Sequence, residues 1–338
     1  LNYSYGSHMP HIPDEVSYIF QAKVLSSGRL AAPPPPVPES FDFFFPSLIV
    51  TSHGKFASIY PFGHPLVLAL GVRVGAVWLI PPLLGAACVT LMFAIGRRVY
   101  NARTALLAAL MMAASPFFLM NASSFMSHNT AVFYILASLL FLACARKRPV
   151  LYPVISGVFF GLVFNTRPLT ATALALPFGA MLLSLLLPRG QRASGAKQIG
   201  AFVLGGLLML GAYWLYNLGT NGTLQGGYEA GGDVGQVVGF GGQNTVANGM
   251  QNDLTQLAFF SLVLNGWPRY IGLMFVLLPF ILGTRRTWDW FMLACAVSVM
   301  GVYTLYLENG VAYGPRYWYE SIPFLMILAA RGAERAAE

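Results

Sequence analysis

The chain has 338 residues, of which 56% are hydrophobic and 9% charged, with a formal net charge of +8. Apolar blocks about as long as a bilayer is thick exclude a soluble globular domain and describe an integral membrane protein. No compact basic patch interleaved with aromatics occurs, which excludes nucleic acid as the partner; Cys88, Cys144 and Cys295 each sit inside an apolar block, which gives neither a disulfide framework nor a metal site.

Residues 1–10 contain "GSHM" (6–9), which resembles a tag-cleavage remnant, and carry no functional reading. Next comes "PDEVSYIFQAKVLSSGRL" (13–30). Val16, Ile19, Phe20 and Val24 recur at helical spacing while Ser17, Gln21 and Lys23 fall elsewhere. The pattern predicts an amphipathic helix over 14–27, too short and polar to span, lying flat on the membrane surface. Pro13 stands near its first position and Asp14 and Glu15 in its first turn. Two readings of the acids stay open: they favour the helix N-terminus by about 0.3–1 kcal/mol, or they do chemistry. The proline run "AAPPPPVPES" (31–40) favours extended polyproline structure, and "SHGKFASIYPFGHPLVLALG" (52–71) adds Lys55 and His64, each a weak signal alone.

Nine candidate spans follow, near 77–97, 104–122, 129–146, 150–166, 169–188, 198–217, 269–284, 288–307 and 318–331. Arg97, Arg98 and Arg103 join the first two; Arg146, Lys147 and Arg148 the next pair; then come Arg189, Arg192 and Lys197, then Arg285 and Arg286, and finally Arg331 and Arg335 in the tail. These alternate loops share one side, the cytoplasm by the positive-inside rule. Residues 1–76 then form an outer loop and 77–338 the bundle, with an outer loop at 218–268 that includes the glycine-rich "GGYEAGGDVGQVVGFGGQNTVANG" (226–249), a linker or a lid. An outward start at Leu1 implies a further membrane helix upstream. The layout reads as an all-α, polytopic membrane protein of the bacterial inner membrane, working on its extracytoplasmic side, where the long segments lie.

Arg167 in "VFNTRPLT" (163–170) and Arg316 in "YGPRYWYE" (313–320) stand at the outward ends of apolar helices. An arginine at that depth is costly unless it finds an anion, a water-filled cavity or a lipid phosphate to snorkel to. His128 in "SSFMSHNTA" (123–131) adds a polar group at the same level, by itself more typical of a helix end than of a base. Carboxylates and guanidinium groups at the membrane boundary suit a lipid-linked phosphate: arginine holds phosphate, a carboxylate takes a proton from an acceptor, and the polyprenyl tail stays between helices.

Three stretches carry a resemblance. "PDEVSYIFQAKVLSSGRL" (13–30) resembles the Asp-Glu motif in the first outer loop of GT-C glycosyltransferases, specifically dolichyl-phosphate-mannose protein mannosyltransferases and aminoarabinose transferases. "YPFGHPLVLALG" (60–71) resembles the return to the second membrane helix, and "YGPRYWYESIPFLMILAARG" (313–332) a late Gly-x-Arg-Tyr element entering a terminal helix. The resemblance implies a GT-C-like helix bundle and an inverting transferase that takes a sugar from a polyprenyl phosphate at the outer membrane face. It maps the general base onto Asp14, with Glu15 beside it as supporting acid or substitute; the outward-face residues themselves add Arg316, Arg167, Tyr317 and Lys55 as candidate donor-phosphate contacts and His128 and His64 as further polar groups. No cofactor or metal is implied, although a carboxylate pair can bind a divalent cation opportunistically. The acceptor, whether protein, lipid or glycan, is not specified.

The competing readings are a transporter or flippase of a lipid-linked sugar, and a non-catalytic membrane subunit. A transporter should show internal repeats and ionisable groups near the bilayer midplane; here no repeat is visible, and these groups gather at the outer edge. Gly-x-Ser-x-Gly, phosphate-loop and His-Glu-x-x-His motifs are missing.

Overall fold

The computed structural model describes residues 8–34, 36–37, 48–52, 54–227, 239–240, 245–283, 285–306, 310 and 313–338. Most of the glycine-rich stretch 226–249, and with it the linker-or-lid reading, lies outside the described residues, as does part of the proline run.

Pro13–Ser26 forms α1, with proline at its start and Asp14 and Glu15 in its first turn. A short antiparallel hairpin, β1 (Ile49–Ser52) and β2 (Lys55–Ser58), pairs Val50 with Ala57 and leads into α2 (Gly63–Arg73). The other named elements among the described residues are helices.

The side of α1 that faces protein differs from the amphipathic expectation. The helix is packed into protein, and its buried face includes the polar Ser17 and Gln21, while Ile19 and Phe20 are half-buried. The hairpin explains this, because its backbone needs hydrogen-bond partners. Ser17 Oγ donates to Leu48 O at 2.7 Å and meets Ser58 Oγ at 2.7 Å. Gln21 Nε2 donates to Leu30 O at 2.7 Å, and its Oε1 accepts from Ser58 N at 3.0 Å. Tyr18, Ala22, Ile59, Tyr60, Leu68 and Phe125 close a small core between α1, α2 and the bundle.

The bundle begins with a 3₁₀ turn, Val77–Leu79, and α3 (Ile80–Val99). The segment expected as one span over 104–122 is two helices, α4 (Ala102–Ala113) and α5 (Pro116–Ala122), bent by 65°. The break has a local cause: Pro116 cannot continue α4, and Ser115 Oγ accepts from Phe118 N at 3.2 Å, capping a new helix. Then follow α6 (His128–Ala143), α7 (Leu151–Phe164), α8 (Pro168–Ser184) and α9 (Arg192–Asn221), which ends at Gly222 in a left-handed conformation, φ +73°. A helix not expected from the sequence, α10 (Val246–Val263), occupies the segment read as loop; Thr245 caps it, accepting from Asn248 N at 3.2 Å. Its apolar residues are interrupted by Asn248, Gln251, Asn252 and Asp253, which hid its periodicity. The chain closes with α11 (Ile271–Ile281), α12 (Thr287–Val302), a 3₁₀ segment Arg316–Ser321, and α13 (Ile322–Ala336).

Among the described residues, Val77–Val99, Arg192–Asn221 and Thr287–Leu305 are long and apolar enough to cross a membrane, and the bent α4–α5 pair passes as one broken unit. Helices α6, α7, α8 and α11 are apolar but shorter. The core is centred on α13, whose residues from Ile322 to Ala330 are all buried. Helices α7 and α9 touch through glycine: a Cβ on Gly157 would lie 2.0 Å from Phe202 O, and one on Gly205 2.2 Å from Val154 O. Towards the far end of α13, Arg331, expected as a tail cation, is buried beside Tyr100 at 5.3 Å and pairs with Asp289 at 4.0 Å and Glu334 at 3.9 Å. Its long stem and these two acids explain why a cation tolerates that position.

Candidate active site

The polar residues collect where α1 docks on the bundle, at the ends of α2, α6, α7, α8 and α12 and the start of α13. The turn between α7 and α8 is fixed from two sides. Gly63 N donates to Asn165 O at 2.7 Å, and Asn165 Nδ2 donates to Met209 O at 3.0 Å. Pro168 at the first position of α8 then sets the chain direction at Arg167.

Asp14 is partly accessible, its side chain 23% exposed. Its Oδ1 accepts a short hydrogen bond from the Tyr60 hydroxyl, and its Oδ2 lies 3.5 Å from Arg316 Nη1. Arg316 Nε and Nη1 are buried and make no hydrogen bond among the described residues. Burial works against the charge of Arg316, but Asp14 and Tyr317 outweigh it and hold the guanidinium above its ordinary pKa. The Tyr317 ring lies between the two arginines, 5.4 Å from Arg316 Cζ and 5.9 Å from Arg167 Cζ. It stacks on Tyr303 with centroids 4.9 Å apart.

Each nitrogen of Arg167 meets a protein group. Its Nε is 2.9 Å from Glu320 Oε1, an ion pair lying off the hydrogen-bond axis. Its Nη1 reaches His128 Nε2 at 3.4 Å and Ser127 Oγ at 3.5 Å, and its Nη2 donates to the Tyr303 hydroxyl at 2.9 Å. The fully buried Glu320 Oε1 also accepts from His128 Nδ1 at 2.9 Å.

The expected residues therefore divide. Asp14, Arg316, Arg167, Tyr317 and His128 come together in one cluster. Glu15 turns into the protein instead: its Oε2 accepts from His11 N at 2.8 Å and its Oε1 from Phe125 N at 3.0 Å. Burial raises its pKa, against the lowering effect of these two amides. Glu15→Ala should destabilise the protein by about 2–4 kcal/mol, because it leaves the amides of His11 and Phe125 without their charged acceptor. Thermal unfolding together with hydrogen exchange over α1 reads this, and a loss below roughly 0.5 kcal/mol would mean that the carboxylate does not fasten α1.

His64 is likewise occupied. Its Nε2 donates to Phe125 O at 2.7 Å, which leaves Nδ1 to accept from the Thr130 hydroxyl at 2.8 Å. Burial pushes its pKa down to about 4. Lys55 lies apart from these contacts, with Nζ donating to Gly219 O at 2.7 Å near the C-terminal end of α9, where a cation suits the helix dipole. Sequence reasoning missed Tyr60, Tyr303 and Glu320. Of these, Glu320 left a signal, being an acid at the mouth of an apolar helix, where it must find a partner.

An apolar cavity of about 410 Å³ opens between α3 and the α4–α5 break, lined by Trp78, Gly85, Val89, Phe118, Leu119 and Ala122. Phe118 packs at 6.1 Å against the ring of Tyr319, the neighbour of Glu320. Among the described residues no group of three or more His, Cys, Asp or Glu side chains is placed to hold a metal ion.

Residues 60–216 match the family model described as dolichyl-phosphate-mannose-protein mannosyltransferase. No curated protein sequence matches significantly. Among solved structures, the chain is similar to ArnT from Cupriavidus metallidurans bound to undecaprenyl phosphate, at 15% identity and TM-score 0.59, over 96% of this chain and 56% of that one. It is also similar to the Archaeoglobus fulgidus oligosaccharyltransferase tethered to an acceptor peptide with the NVT sequon, at 15% identity and TM-score 0.57, over 95% and 49%. AglB from the same organism, in complex with an inhibitory peptide and a dolichol-phosphate, matches at 13% identity and TM-score 0.58, over 95% and 50%. The chain thus spans about half the length of these proteins. At such identities the likeness establishes the fold, an all-α membrane helix bundle shared with these structures.

Proposed function

We propose that this chain, carrying the GT-C fold, is an inverting glycosyltransferase that moves a sugar from a polyprenyl-phosphate donor to an acceptor at the extracytoplasmic face of the membrane. The observation that carries the reading is the pairing of a partly exposed carboxylate, Asp14, with an arginine, Arg316, whose buried Nε and Nη1 make no hydrogen bond among the described residues. The lipid phosphates bound by ArnT and AglB support a donor of that class. Basic residues concentrated in alternate short loops support the orientation.

The acceptor hydroxyl gives its proton to Asp14 while its oxygen attacks the anomeric carbon from the face opposite the phosphate. The bond from that carbon to the phosphate oxygen breaks, its electron pair stays on the phosphate, and polyprenyl phosphate leaves. Inversion follows from a single displacement. Tyr60 orients the carboxylate by donating to Oδ1, and so leaves Oδ2 on the Arg316 side. Arg316 binds the phosphate, a contact available to it before and during the displacement alike. The polyprenyl tail lies against the apolar groove beside Phe118.

Arg316→Ala tests the donor contact. A phosphate contact made equally in ground state and transition state raises donor KM with little change in kcat, and loss of one charge-assisted contact amounts to about 10- to 100-fold. An unchanged donor KM would place Arg316 on lipid headgroups instead, and the donor site elsewhere.

A further inference from the structure

The charges of this cluster balance almost entirely within the protein. Arg167 and Arg316 supply two positive charges, and Glu320 and Asp14 two negative ones. His128 adds none, because its Nδ1–H donates to Glu320, and its Nε2 keeps the lone pair that faces Arg167 Nη1. The two arginines differ in what they offer a ligand. Arg167 has a protein contact at each nitrogen, through Glu320, His128, Ser127 and Tyr303, whereas Arg316 has the Asp14 carboxylate at 3.5 Å from Nη1 and, among the described residues, no hydrogen bond from Nε or Nη1. Glu320 is fully buried, and its carboxylate lies against Arg167 and His128 rather than at the surface. A buried ion pair contributes little net stability relative to apolar packing; what the Glu320–Arg167 pair supplies is a fixed local charge.

We propose that Glu320 is a specificity-determining residue of the donor site: by neutralising Arg167 it takes one positive charge out of the field that the ligand meets, and so favours a lipid phosphodiester carrying one negative charge over a diphosphate carrying two. This rests on the transferase reading above. Discrimination of this kind scales with ligand charge, because each unit of charge on the ligand feels the same change in the protein's field. At an effective dielectric of 20, a charge on the order of 10 Å from a ligand alters its affinity by about tenfold or somewhat more per unit of ligand charge.

The test compares binding of polyprenyl methyl phosphate, with one negative charge, and polyprenyl methyl diphosphate, with two, to the detergent-solubilised chain. Glu320→Gln keeps the shape of the side chain and an oxygen for His128. It should tighten the monophosphate about tenfold and the diphosphate about a hundredfold, shifting their ratio about tenfold towards the diphosphate. Arg167→Gln should shift the ratio about as far the other way, and the double variant should restore it. Loss of folded protein lowers the binding-competent fraction for both lipids and leaves the ratio alone, so a merely structural role does not imitate this result. If Glu320→Gln does not fold, Arg167→Gln and the double variant carry the test. A ratio that stays constant through the variants, while wild type still binds the monophosphate, overturns the assignment of Glu320 and leaves the transferase reading standing. Wild type that binds neither lipid overturns both.

Discussion

Asn in place of Asp14 is expected to lower kcat by about 10²- to 10⁴-fold, the usual contribution of a positioned general base, while leaving the fold in place. The substitution preserves the volume of the side chain and an oxygen that accepts from the Tyr60 hydroxyl. It removes the group that takes up the acceptor proton. It also leaves Arg316 without its carboxylate at 3.5 Å, so the attraction of that arginine for a donor phosphate is not weakened. Turnover should therefore fall without a rise in donor KM, which separates a lost base from a lost binding contact. Thermal unfolding should match wild type, because Asp14 is partly exposed and, among the described residues, fastens no buried amide, in contrast to its neighbour Glu15. Wild-type kcat in the variant would remove Asp14 from the chemistry.

A larger structural effect is expected from Gly157→Leu. The backbones of α7 and α9 meet at this residue, where any Cβ would fall 2.0 Å from the carbonyl oxygen of Phe202. The obstacle is backbone rather than the end of a flexible side chain, so α9 has to move as a body. Overpacking of a core typically costs 1–3 kcal/mol, and a clash against main chain at this distance should exceed that range, at about 4 kcal/mol or more. Activity should fall as well. The α7–α8 turn that presents Arg167 is fixed by Asn165 donating to Met209 O on α9, and displacement of α9 breaks that contact. The melting temperature and folded yield in detergent measure the effect, and wild-type stability would mean that the two helices are not in backbone contact.

Much of the site was legible in the sequence because charge is scarce in it. In so apolar a chain, Arg167 and Arg316 at helix ends each require a partner, and Asp14 stands at the start of a helix too polar to span. The same reasoning applied to Glu320 would have identified the acid that pairs with Arg167. Its partner lies 153 positions away, however, and a lone acid carries no pairing signal along the chain. Tyr60 is similar: a tyrosine in an aromatic-rich segment announces no hydrogen bond to a residue 46 positions earlier. The amphipathic pattern in α1 misled for a physical reason. Ser17 and Gln21 read as a solvent-facing side, yet they face inward to satisfy the backbone of the β1–β2 hairpin, a demand set by tertiary structure. Likewise Lys55 and His64 carry the right chemistry for a phosphate site but are engaged by Gly219 and by Phe125 and Thr130. The broken span at Ser115 and Pro116 was readable from the Ser-Pro pair, which the apolar length of the segment outweighed.

Release of radiolabelled sugar from a panel of polyprenyl-phosphate sugars, in membranes carrying wild-type protein or Asp14→Asn, tests the proposed chemistry most directly. One donor should lose its label to an acceptor in wild-type membranes and keep it in those with the variant. Equal transfer by both proteins, or label that crosses the membrane still attached to its lipid, would contradict a transferase that uses Asp14 as its base.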